Sequence, residues 1–159
     1  MDATLISQSP RAFELPRMRI ARVARATYAA MNALDDAVEL DPGLRDLVSL
    51  RASILNGCAY CVDMHTLDAR KRGESEQRLY AVAAWPEAPF FDERERAALA
   101  LTDAVTQVGS GQVPRAVWDE AAAHFPEEEL AKLLWAIVVI NAWNRIAIAT
   151  RMEPGRYTP

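Results

Sequence analysis

Residues 44–73 read LRDLVSLRASILNGCAYCVDMHTLDARKRG, and they hold both cysteines of the chain and one of its two histidines. Ahead of Asn56 and Gly57, apolar residues recur at helical spacing (Leu44, Leu47, Val48, Ile54, Leu55), with Asp41 and Pro42 placed as N-cap and first helical residue. Gly57 interrupts this helix, and a second segment runs from Cys58 to Arg72 and stops at Gly73. At about 100° per residue, Cys61 falls about 60° from Cys58 and His65 about 20° from it, so the three share one helix face, while Asp63, about 140° away, points elsewhere.

The position of the pair matters as much as its spacing. With one helix ending at Asn56 and Gly57, both cysteines fall in the first turn of the next, where free backbone N–H groups and the positive end of the helix dipole favour a thiolate. The CxxC spacing lets one sulfur attack an oxidant and the other resolve the product as a disulfide, and His65, one turn beyond Cys61, can take up or supply the proton. Two alternatives stay open at this point. Small cysteines are often buried for packing alone. Cys58, Cys61 and His65 also offer three zinc ligands, although the second close pair of a zinc site is missing from the chain. Asp46, twelve residues before Cys58, reaches toward His65 if the two helices pack as a hairpin; otherwise it is a carboxylate that favours the start of its own helix.

The rest of the chain reads as helices separated by proline and glycine. Residues 1–15 form a polar arm and residues 16–155 one helical domain. Helices are expected from Arg17 to about Val38, over a short segment near 75–83, and after Asp92, where Glu95 completes a capping box. WPEAPFF (85–91) is a loop and GSGQVP (109–114) a turn. Pro114 and Pro126 open the last two helices, the second running from about Glu127 to Arg151. Its stretch Leu133–Ile140 is apolar on every side, which suits the centre of a bundle or a subunit interface. No alternation of β-branched residues appears elsewhere, so the class is all-α, in a single domain of 159 residues.

Bulk properties narrow the function further. A net charge of −4 and a pI near 5.2 oppose a nucleic-acid binder, since the clusters Arg70–Arg72 and Arg17–Arg25 read as solvated helix faces. The run LLWAIVVI (133–140) is far short of the roughly 20 residues a bilayer needs, and the N-terminal stretch lacks the basic and apolar regions of a secretory signal. No membrane association is expected, and the expected location is the cytoplasm, where thiols stay reduced and a cysteine pair points to redox or metal chemistry.

The 44–73 stretch resembles the core motif of the alkylhydroperoxidase D (AhpD)-like proteins of the carboxymuconolactone decarboxylase superfamily: an acidic residue, a cysteine twelve residues on, then CxxCxxxH. ERAALALTDAVT (95–106) and INAWNRIAIA (140–149) resemble the short members as well, so the likeness runs from about residue 40 to 150. It implies an AhpD-like helical bundle that assembles as a homo-oligomer, a hexamer or trimer. The implied activity is thiol-dependent peroxidase or disulfide reductase chemistry, with a small hydroperoxide as substrate. An external dithiol, lipoyl or thioredoxin-like, would serve as reductant, and no bound cofactor is expected. By motif position Cys61 is the peroxidatic thiolate, Cys58 the resolving cysteine and His65 the proton relay, with Asp46 coupled to it through water. This chain has Asp46 where the family has glutamate, one methylene shorter, and Tyr60 where AhpD itself has histidine. Outside the motif, Ser53 and Asn56 are read as helix-end residues, Tyr60 and Met64 as packing, and His124 as a helix C-terminal residue. Asn141, Trp143, Asn144 and Arg145 are polar groups inside a buried helix that must find partners in a network.

Overall fold

In the computed structural model, which describes residues 16–159, the chain is a succession of helices. They are α1 (Ile20–Val23), α2 (Arg25–Asp36), α3 (Pro42–Asn56), α4 (Ala59–Lys71), α5 (Glu76–Ala81) with a 3-10 turn at Val82–Ala84, α6 (Glu93–Thr106), α7 (Val108–Gly111), α8 (Arg115–His124) and α9 (Glu127–Thr150). Among the described residues there is no strand. The expected arm over 1–15 lies outside them.

The helix starts follow the local signals. The Asp41 carboxylate accepts the Leu44 N–H at 3.0 Å, with Pro42 at the first position of α3. Asp92 and Glu95 form the reciprocal capping box of α6, at 2.8 and 3.0 Å, and Pro114 and Pro126 stand at the N-caps of α8 and α9.

The middle of the bundle is α3. Eight consecutive residues, Asp46 to Ser53, are buried, because α4, α6 and α9 pack around the helix. On one side Leu44 and Val48 join Ala97, Ala98, Leu101, Leu133 and Ile137. On another, Leu47 and Leu50 meet Ala69, Leu79, Val82, Phe91 and Leu99. Each such leucine or valine contributes about 1.5–3 kcal/mol by leaving water. Burying α3 on all sides encloses Arg51 as well. Its guanidinium is satisfied by Asp103 at 2.6 and 2.8 Å and by the carbonyls of Val82 and Ala83. An enclosed charge without such partners would be strongly destabilising.

Three expectations are modified. The continuous helix from Arg17 to Val38 breaks at Ala24 (φ −118°, ψ 55°) into α1 and α2. Neither piece buries a residue fully, so packing does not enforce continuity. The turn at 109–114 begins as the short helix α7, which ends where Gln112 takes a positive φ of 58°. The apolar run of α9, which suits a bundle centre or a subunit interface, is covered only in part by the bundle: Leu133, Ile137 and Ile140 are buried, while Trp135 and Val138 are 52% and 43% exposed. As a whole α9 has 24 residues and a mean hydropathy of 1.5 over its most apolar window, enough by length and composition to cross a membrane, although half of that window is buried within this fold.

Beyond α9 the chain turns back along α4. The Gly155 N–H donates to Asp63 Oδ2 at 2.8 Å and the Tyr157 hydroxyl to Asp68 Oδ1 at 2.9 Å.

Candidate functional site: a buried cysteine pair

The connection between α3 and α4 fixes the first cysteine. Gly57 is left-handed (φ 67°, ψ 32°), its N–H bonds the Ile54 carbonyl at 3.1 Å, and the Cys58 N–H bonds the Ser53 carbonyl at 2.9 Å. This is a Schellman termination, in which glycine adopts without strain a backbone that a side chain resists. Cys58 thereby becomes the N-cap of α4, and Cys61 lies in its first turn. Both are buried, 1% and 2% exposed, beside Ala52, Ile140 and Ala147.

The two sulfurs are 2.9 Å apart, both thiols being reduced, so one proton lies between them. The Cys58 thiol is lowered to about 7. The largest cause is the hydrogen bond from Cys61; burial opposes it, and the backbone N–H groups of Cys61 and Tyr60 and the Asn144 amide assist. Cys61 is raised, first by that same hydrogen bond to Cys58, then by burial and by the Cys58 charge. In the reduced pair these effects favour the charge at Cys58, over the open end of α4, whereas the resemblance implies a thiolate at Cys61.

His65 sits one turn beyond Cys61, as the spacing predicts. Burial lowers its pKa to about 4, which keeps the ring neutral near pH 7. Its Nε2 is one of two buried side-chain polar atoms without a hydrogen-bond partner among the described residues; the other is Trp143 Nε1. Asp46 does not bond His65 directly. Its carboxylate is held by Arg72, at 2.6 Å from Nε and 2.5 Å from the other guanidinium nitrogen. Burial raises the Asp46 pKa, with the Arg72 hydrogen bond and charge pulling the other way.

A cleft of about 690 Å³, counting the part open to solvent, runs along the site and is lined by Cys61, His65, Ser49, Arg45 and apolar side chains that include Tyr60, Met64 and Trp143. Tyr60 and Met64, read from sequence as packing, are walls of this cleft. From α2, Tyr28 meets Trp143 edge to face at 5.2 Å, and Arg45 ties α2 down through Asp35, at 2.8 Å to its carbonyl and 2.5 Å to its carboxylate.

The polar residues of α9 form the expected network. Asn56 Nδ2 donates to Asn141 Oδ1 and Asn144 Oδ1, both at 2.9 Å. Asn144 Nδ2 donates to Ser53 Oγ at 3.0 Å, and Asn141 Nδ2 to Thr106 Oγ1 at 2.9 Å. The contribution of Asn144 to the thiol pair was not foreseen. Its only signal was an asparagine inside an apolar helix. Among the described residues no three His, Cys, Asp or Glu side chains are grouped to hold a metal, so the zinc alternative has no geometric support.

The sequence profile of the carboxymuconolactone decarboxylase family matches residues 21–104. YdfG of Bacillus subtilis is 47% identical over 105 residues, 66% of this chain and 71% of that protein. A solved structure from Agrobacterium tumefaciens, described as of unknown function and linked by name to the antioxidant defence protein AhpD, superposes with a TM-score of 0.86 at 39% identity, over 89% of this chain and 99% of that one. The debrominase Bmp8 shares the fold, with a TM-score of 0.75 at 22% identity over 85% of this chain and 74% of its own. With its CxxC pair at the head of α4 and these relatives, the chain belongs to the carboxymuconolactone decarboxylase family as an AhpD-like member.

Proposed function

We propose that this protein is a thiol-dependent peroxidase that reduces a small organic hydroperoxide. The observation that carries the reading is the reduced pair itself: two sulfurs 2.9 Å apart, one of which, Cys61, shares a largely apolar cleft with a neutral, unpartnered His65. The Cys61 sulfur attacks the terminal peroxide oxygen and the O–O bond breaks. The Cys61 proton passes by way of the Cys58 thiolate or His65 to the leaving alkoxide, so the alcohol leaves protonated. The Cys58 thiolate then displaces hydroxide from the Cys61 sulfenic acid, forming the disulfide, and the hydroxide takes a proton from solvent to become water. Two electrons have moved from the thiols to the peroxide, and an external dithiol returns them.

The near-complete burial of both sulfurs supports a small substrate over the disulfide of a folded protein, whose surface would not reach them. The homo-oligomer implied by family resemblance belongs to the proposal. It is supported by Trp135, Val138 and Ile148, which stand exposed on α9 as a face that a second copy would cover. Light scattering of the wild type and of Trp135→Glu tests it: the substituted protein should be the smaller particle.

The test of the chemistry is the intact mass of the fully reduced protein before and after one equivalent of cumene hydroperoxide. Loss of two hydrogen masses, absent in Cys58→Ser and in Cys61→Ser, is the expected result. An unchanged mass would refute the proposal.

A further inference from the structure

The site has two openings, and the cysteines are divided between them. The cleft described above is lined by Cys61 and not by Cys58. A second, smaller hollow of about 380 Å³, counting the part open to solvent, is lined by Cys58 and not by Cys61, together with Gly57, Ala59, Ile148 and Arg151. Tyr60, Ala147 and Met152 line both. They form the partition, and Tyr60 and Met152 also pack against the buried cysteine cluster.

We propose that oxidant and reductant reach the pair through separate openings: the hydroperoxide meets Cys61 in the larger cleft, and a slim alkyl dithiol meets Cys58 through the smaller hollow. The division deepens the peroxidase reading and rests on its cysteine-pair chemistry. The reductant is a slim dithiol because the hollow is small, its walls at Ala59, Tyr60, Ala147, Ile148 and Met152 are mostly apolar, and Cys58 is only 1% exposed at its floor. A redox centre carried on a folded protein surface does not fit such a hollow, whereas an alkyl chain bearing two thiols does.

The exchange balances. A thiolate of the donor attacks Cys58 Sγ, a new S–S bond forms, the Cys58–Cys61 bond breaks, and Cys61 leaves and takes a proton, with His65 one turn away. The donor's second thiolate then attacks its own sulfur in the mixed disulfide, closing a cyclic disulfide and expelling Cys58. The donor is oxidised by two electrons and the pair reduced by two.

Two exposed side chains separate the openings. Ala59 lines the smaller hollow alone, and Asn32 on α2 lines the larger cleft alone. Each half-reaction is followed by alkylation quench and mass. Re-reduction by dithiothreitol starts from protein oxidised with diamide, so it is read whether or not peroxide is a substrate; oxidation of reduced protein uses cumene hydroperoxide. Ala59→Phe should slow re-reduction by about tenfold and leave oxidation within about twofold, and Asn32→Phe should do the reverse, since obstructing the approach to a reacting atom costs on that scale. Ile148→Ala, which widens the hollow, should speed re-reduction. The arrangement of separate openings is overturned if Ala59→Phe leaves re-reduction unchanged while Ile148→Ala does not speed it, or if either phenylalanine slows both half-reactions alike. A protein that peroxide does not oxidise, but whose re-reduction responds to Ala59→Phe as described, would overturn the peroxidase reading and keep the smaller hollow as the dithiol site.

Discussion

Asn56, the last residue of α3, donates to Asn144 of α9 across 2.9 Å, and Asn144 in turn donates to Ser53 Oγ and lowers the pKa values of both cysteines. One amide thus joins the end of the central helix to the charge of the thiol pair. Asn144→Ala should destabilise the fold by about 1–3 kcal/mol, because it strands buried polar partners. It should also raise the pKa of Cys58. Urea denaturation and thiolate absorbance at 240 nm on the same variant check the two effects separately.

The thiolate titration of the wild-type protein should have its midpoint near pH 7, as the lowered Cys58 thiol requires. Below that pH the pair is fully protonated, and above it one charge is present. Cys61→Ala removes the principal hydrogen bond to Cys58 and should move the midpoint upward. Cys58→Ala should remove the transition near 7 altogether, leaving a buried thiol that ionises above the ordinary range. A midpoint near 7 that survives Cys58→Ala would put the charge on the other sulfur.

His65 makes the fold sensitive to acid. Its pKa falls from 6.5 to about 4 through burial, so below pH 6.5 the unfolded chain takes up a proton that the folded one refuses. The stability present above pH 6.5 is therefore lost progressively as pH falls toward 4, by up to about 3 kcal/mol. Asp46, raised by burial, works in the opposite direction. The contribution of His65 is isolated by comparing wild type with His65→Gln at pH 7 and pH 4.5: the acid-induced loss should be smaller in the variant.

Asp46 and Arg72 are the third titration to test. The carboxylate side chain is 7% exposed and the guanidinium side chain 47%, so most of the desolvation falls on the acid. Arg72→Ala should cost about 2 kcal/mol at pH 7, below the range for a fully buried pair because solvent screens the arginine. The cost should shrink on acidification, since the unpaired Asp46, its pKa raised further, takes up a proton in the folded state. A penalty independent of pH between 7 and 4.5 would contradict that account.

Much of this was legible in the sequence because it is local. Asp41 with Pro42, Asp92 with Glu95, and Gly57 between two apolar helices each act over fewer than five residues, and the helix face shared by Cys58, Cys61 and His65 follows from angular spacing alone. What escaped depends on partners far along the chain. Arg72, which holds Asp46, is 26 residues away, and Asn144 is 88 residues from Asn56. Neither distance leaves a periodic trace. The central position of α3 was hidden for a related reason: Asp46, Ser49, Arg51 and Ser53 make it look half-solvated, and only their tertiary partners explain their burial. For α9 an apolar run on every side suits either the bundle centre or a subunit interface, and the bundle covers only part of it, leaving Trp135 and Val138 exposed.

The helix over the larger cleft has a kinetic meaning. Because α2 buries no residue fully and is fastened by the edge of Tyr28 on Trp143, by Met31 against the core and by Arg45, it belongs to the less costly class of local unfolding. Its amide hydrogens should exchange with solvent sooner than those of α3. Admission to Cys61 then becomes a matter of how often the roof breathes, with a temperature dependence set by that opening rather than by the bond broken beneath it.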